Sequence, residues 1–121
     1  MNEFNDHKIF WDEKYEVVRL VIEGDVDEKI AEWLLTETDK IATQYGNNLE
    51  WLLELRKVKS SSSRGRKVIS EAVGHTSIRK YAMVGAPTFI KTVSNFIISA
   101  SGKKNAKHFS TEEEALKWLN E

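Results

Sequence analysis

At 121 residues the chain has the length of one ordinary domain, enough to bury about two-thirds of its unfolded surface and fold without covalent staples. It contains no cysteine, which excludes disulfides, thiolate metal sites and a cysteine nucleophile and suits a reducing cytoplasm. The formal net charge of −1 conceals a sharp segregation: residues 1–55 hold 14 acidic and 5 basic side chains, residues 56–107 hold 12 basic and one acidic, and the last fourteen lean acidic again.

A basic middle segment of this kind suits an anionic partner, unless the fold interleaves the segments and mixes the charges in space. Met1 to Lys8 is polar and lacks the basic-then-apolar order of a signal peptide. No apolar run approaches the ~18 residues that cross a bilayer, so the expectation is a cytoplasmic protein with no transmembrane segment.

In chain order, Lys8–Asp12 and the valine-rich Tyr15–Glu23 read as two strands of a hairpin, broken at Gly24 and Asp25. Val26, Ile30, Trp33, Leu34, Ile41 and Tyr45 then recur at three- and four-residue steps, the face of a helix. Asp25 and Glu28 supply a capping-box-like start, and Gly46 with Asn47 a stop. Leu49–Leu55 is apolar enough for an interior strand covered on both faces. A loop at 56–63 leads to a short helix packing Val68, Ile69, Ala72 and Val73 and ending near Gly74. Tyr81–Gly85 reads as a strand, and Pro87 suits the first turn of a helix closed by Gly102, with Phe89, Val93, Phe96 and Ala100 inward. Ala106–Phe109 is a last short strand. Ser110 with Glu113 caps a final helix carrying Ala115, Leu116 and Leu119. The order β-β-α-β-α-β-α-β-α predicts one α/β domain over 1–121, a mixed and mostly parallel sheet with helices packed on it.

That order, together with two motifs, resembles the STAS domains of the SpoIIAA-like, STAS/SEC14-type branch, the fold of anti-sigma-factor antagonists. The run from Phe109 through Glu113-Glu114-Ala115-Leu116 to Trp118-Leu119 is similar to that branch's F-x-x-x-E-E-A-L-x-W-L ending. Tyr81-Ala82-Met83-Val84-Gly85 is similar to its A-V-V-G strand. In signalling members a hydrophobic-D-S-x-G loop carries a serine phosphorylated by a partner kinase. Laid on that motif, Ser63 falls at the phosphorylated position, Gly65 at the glycine, and Ser62 where the family has Asp. The resemblance implies a non-enzymatic regulatory module with a protein partner; its SEC14-type side implies instead a carrier or sensor of an anionic lipid or nucleotide.

The same segment has its own chemical logic. Ser60, Ser61, Ser62 and Ser63 precede Arg64, Arg66 and Lys67 at a helix start, and Arg56, Lys57 and Lys59 enter from the strand. Backbone N–H groups and a helix dipole among cations favour a phosphate, nucleotide or lipid headgroup. An ordinary polar turn with one serine as N-cap would use the same residues.

Catalysis finds little support. His7, His75 and His108 stand in no triad signature or metal-ligand spacing, and there is no G-x-S-x-G elbow, P-loop or G-x-G-x-x-G. No cofactor or metal is expected. Trp33, Trp51, Phe96 and Trp118 sit at core-like positions, which argues against stacked bases and a specific nucleic-acid partner. On the helix after Pro87, Ile90 and Ile98 fall outside the expected inner face and form a candidate interaction surface, for example in a homodimer.

Overall fold

The computed structural model describes residues 2–4, 7–46, 48–75, 78–101 and 105–121, with backbone alone for 2–4, 72–75 and 101. Strand β1 (Asn2–Phe4) pairs antiparallel with β2 (His7–Asp12), and β2 with β3 (Val17–Val26). Helix α1 (Glu28–Tyr45) leads to β4 (Leu49–Ser61), α2 (Ser63–His75) to β5 (Ile78–Val84), α3 (Thr88–Ser101) to β6 (Ala106–Phe109), and α4 (Glu112–Leu119) ends the fold. β3 to β6 run parallel, and all six strands lie side by side in chain order. The mixed α/β sheet and the element order match the sequence reading, with β1 added at one edge.

Side-chain alternation along the strands divides the interior in two. On one face Val18, Leu20 and Ile22 of β3, Trp51 and Leu55 of β4, and Tyr81 and Met83 of β5 pack with Ile30, Leu34 and Ile41 of α1 and Ile90 of α3. On the other, Val17, Leu52, Ala82 and Val84 pack with Ala115 and Leu119 of α4. The continuous apolar run of β4 is thus explained: it is covered on both sides.

Helix starts fall one or two residues later than expected. Asp27, not Asp25, caps α1 by accepting the Ile30 N–H at 2.9 Å. Thr111, not Ser110, caps α4: it accepts the Glu114 N–H at 3.3 Å, and its hydroxyl donates to Glu114 Oε1 at 3.1 Å. Asp25 is drawn away because β3 continues through Val26, where it accepts a hydrogen bond from Ser60 Oγ at 2.5 Å. Asp27→Ala is expected to lower stability by about 1 kcal/mol in urea unfolding; no loss would return the cap to Asp25.

Helix α3 lies with its stripes exchanged. Ile90 is 4% exposed, whereas Phe89 and Phe96 are 52% and 70% exposed, and Ala100 also faces outward. Ile98 packs against the core from its edge. The candidate interaction surface at Ile90 and Ile98 is therefore the inner face. Ile90, Val93, Ile97 and Ile98 recur at i, i+3, i+7 and i+8, a contiguous β-branched stripe that fits the sheet. The Gly102 stop and the packing of Ala72 and Val73 lie outside the described residues.

Candidate functional site

The polar segment singled out in the sequence lies where β4 hands over to α2. Residues 56–61 are strand rather than loop, because β4 stays paired to β3 as far as Val26↔Ser61. The ladder slips between Val21 and Glu23 and again between Gly24 and Asp25, and Gly24 takes φ +74° there. The true connection is Ser62. Its N–H donates to Val26 O at 2.9 Å, and its hydroxyl accepts the Gly65 N–H at 3.0 Å. Ser62 is therefore the N-cap of α2 and fills the role a cap Asp would fill.

Gly65 is buried against the β3–α1 junction. A Cβ there would stand 2.9 Å from Val26 O and 3.0 Å from Asp27 O, so the helix start can lie this close to the backbone only with glycine. Ser63, the first helical residue, is exposed. Arg66 Nη2 donates to its hydroxyl at 3.2 Å, while Arg66 Nη1 donates to Ser61 O at 2.7 Å and Ser61 Oγ at 3.2 Å. Arg66 thus ties Ser61 and Ser63 together across the cap. A guanidinium cannot accept a proton, so this partner does not prepare Ser63 as a nucleophile.

The ten residues grouped in the sequence do not form one patch. Ser61, Ser62, Ser63 and Arg66 come together, with Arg64 and Lys67 exposed on the first turn of α2. Lys57 Nζ approaches Glu23 at 3.9 Å, Arg64 pairs with Glu28 at 3.6 Å, and Ser60 is held by Asp25. Lys59 is exposed. Arg56 goes elsewhere: it pairs with Glu54 at 3.5 Å, donates to Ser110 O at 3.3 Å and lies over Gly85. Parallel pairing of acidic β3 with basic β4 thus interleaves the two charge blocks. Exposed pairs of this kind contribute little stability, but they cut the local positive potential. Glu23, Asp25 and Glu28 belong to the site and escaped the sequence reading, because strand register brings the first two there and the packing of the α1 start against α2 brings the third.

Of the three histidines, His7 and His108 have described side chains. His7 is buried and accepts the Glu23 N–H at 3.4 Å. The His75 side chain lies outside the described residues. His108 is half-buried, and both ring nitrogens are buried without a hydrogen-bond partner among the described residues. Burial, and then nearby Lys91, hold it below the ordinary value of 6.5. The unfolded chain therefore takes up that proton first as pH falls, and stability drops below about that pH. His108→Leu is expected to flatten the decline between pH 7.5 and 5.5 in urea titrations; an unchanged slope would remove His108 as its source. Among the described residues no group of His, Cys, Asp and Glu is arranged to hold a metal. No helix there is long and apolar enough to cross a membrane.

Comparison with known families places this arrangement. Residues 14–121 match the family described as Domain of unknown function (DUF7793). The chain belongs to that family. No curated protein matches it. Among solved structures, an uncharacterised DUF3478-family protein with a SpoIIAA-like fold from Shewanella loihica PV-4 is similar at a TM-score of 0.71 and 13% identity, covering 98% of this chain and 99% of that one. The anti-sigma factor antagonist SpoIIAA in its unphosphorylated form is similar at a TM-score of 0.63 and 15% identity, covering 94% and 97%. The DUF7793 chain therefore has a SpoIIAA-like, STAS-type fold, as its C-terminal motif and element order led us to expect.

Proposed function

We propose that the protein is a non-enzymatic regulatory module of the cytoplasm that binds a protein partner through the start of α2 and the end of β4, with Ser63 as its phosphorylation site. The observation that carries this reading is the placement of Ser63: exposed at the first helical position, beside a satisfied Ser62 cap and within 3.2 Å of Arg66. The likeness in fold to an anti-sigma-factor antagonist supports a protein partner. A phosphate on Ser63 would bring roughly −1.5 to −2 charges to a helix N-terminus, where the dipole and Arg66 favour it. The fold would survive while the surface potential reverses, since Glu23, Asp25 and Glu28 already offset part of the positive charge.

Pull-down from the native host with wild type, Ser63→Ala and Ser63→Asp tests this. Ser63→Ala should retain the partner and Ser63→Asp should lose it, at equal melting temperatures. Equal capture by all three would remove the switch and leave constitutive binding.

The alternative, a carrier of an anionic ligand, asks the cations to face a cavity. The cavity beside this segment has walls from Leu55, Val58 and Ser61 and no charged side chain. It suits an uncharged molecule instead.

A further inference from the structure

Helix α3 is apolar on two sides. Its inner stripe, Ile90, Ile97 and Ile98, closes over the sheet around a small space that also borders Tyr81. Its outer stripe, Phe89, Thr92, Phe96 and Ala100 at i, i+3, i+7 and i+11, is exposed. Phe89 and Phe96 are 52% and 70% exposed, the most exposed large apolar side chains among the described residues. Single apolar side chains on a surface are ordinary. Two phenylalanines two turns apart on one helix face make a contiguous patch, and a helix that is apolar all round is normally covered all round.

The charge on α3 decides what covers the outer stripe. The helix has no acidic side chain and one basic one, Lys91. At about 100° per residue Lys91 lies roughly half a turn from the phenylalanines, and it stands near His108 of β6 instead. The outer stripe is therefore neutral. An anionic lipid surface or an acidic partner segment finds no cation on it. An identical neutral face meets it with no like charges opposed, the condition that a two-fold, self-complementary contact must satisfy.

We propose that this stripe is a dimerisation face, on which α3 of a second copy packs antiparallel. That direction opposes the two helix dipoles and sets Phe89 of each copy against Phe96 of the other, with Thr92 beside the two-fold axis. The two rings expose roughly 250 Å2, given about 200 Å2 for a whole phenylalanine, against about 800 Å2 per partner in a standard interface. The dimer is therefore weak and forms as concentration rises. The contact lies on a different helix from Ser63 and stands whether or not that residue is phosphorylated.

Sedimentation equilibrium of the full chain, between about 10 µM and 1 mM, tests the proposal on wild type, Phe96→Glu and Phe96→Leu. Wild type should move from the mass of one chain toward that of two. Phe96→Glu should weaken association at least about 30-fold at an unchanged melting temperature, and Phe96→Leu should keep most of it. Because the chain has no cysteine, mild oxidation of Thr92→Cys should give a disulfide-linked dimer, whereas Lys91→Cys, on the other side of α3, should not. The proposal is overturned if wild type keeps the mass of one chain throughout, if folded Phe96→Glu associates like wild type, or if Lys91→Cys cross-links as readily as Thr92→Cys. Pelleting of a monomeric chain with phosphatidylglycerol vesicles, lost in Phe96→Glu, also overturns it and gives the stripe to lipid.

Discussion

Trp51→Ala is expected to lower stability by about 3–5 kcal/mol in urea unfolding, the range for a large aromatic removed from a packed interior. Trp51 is 4% exposed on β4, paired to Val18 on one side and Tyr81 on the other, beneath α1. Its removal joins a new void to the space that already borders Tyr81, so the neighbours have little with which to close it. Trp118, in the C-terminal motif, is the contrast. It is half-buried, its ring 5.5 Å from that of Phe109 and capped by Lys80 Nζ at 4.9 Å. Its truncation leaves a dent open to water rather than a void, and should cost about 1–2 kcal/mol. If the two losses came out equal, the inner sheet face would not be the principal core.

That contrast shows what the sequence could convey. Period-two alternation and apolar runs identify strands, and the doubly buried Leu49–Leu55 run correctly placed β4 inside the sheet. Position within a capped motif says less about depth, since Trp118 and Leu119 share the motif but only Leu119 is fully covered. On α3 two apolar stripes share Val93, and composition alone does not choose between them. Which one faces inward depends on the angle at which Pro87 delivers the helix to β4 and β5, a tertiary fact. Helix starts slipped for a related reason: Asp25 and Asp27 are both good caps, and the extension of β3 through Val26 decides between them.

The site was legible in its serines and only partly in its charges. The D-S-x-G alignment located Ser62, Ser63 and Gly65, and the structure gives each a distinct place: cap, exposed first residue and close contact. The sequence showed a basic block after residue 55, but not that β3 would lay Glu23 and Asp25 along it, or that the start of α1 would set Glu28 beside Arg64. Strand register, invisible to a running charge count, converts a strongly cationic segment into a mixed one. A partner that binds here should depend on ionic strength less steeply than the raw count of cations suggests.

Gly65→Ala is the substitution that joins fold to site, and it is expected to destabilise by about 1–3 kcal/mol. Helix propensity alone predicts the opposite, since alanine is favoured over glycine by about 1 kcal/mol inside a helix. Space decides the sign. The added methyl group would sit 2.9 Å from Val26 O and 3.0 Å from Asp27 O, and both are backbone atoms fixed by β3 and by the α1 cap. Neither can swing aside as a flexible side chain would, so α2 must lift away from the sheet. Lifting it strains the Ser62 N–H bond to Val26 O and the Arg66 bridge between Ser61 and Ser63. Hydrogen exchange should therefore speed up selectively in the first turn of α2, while α4 on the opposite face keeps its protection. Partner binding should weaken more than the fold does, whereas Ser63→Ala leaves stability intact. A Gly65→Ala protein as stable as wild type, with unchanged exchange in α2, would show that the helix start is not pinned to β3 and that Gly65 does not set the position of Ser63.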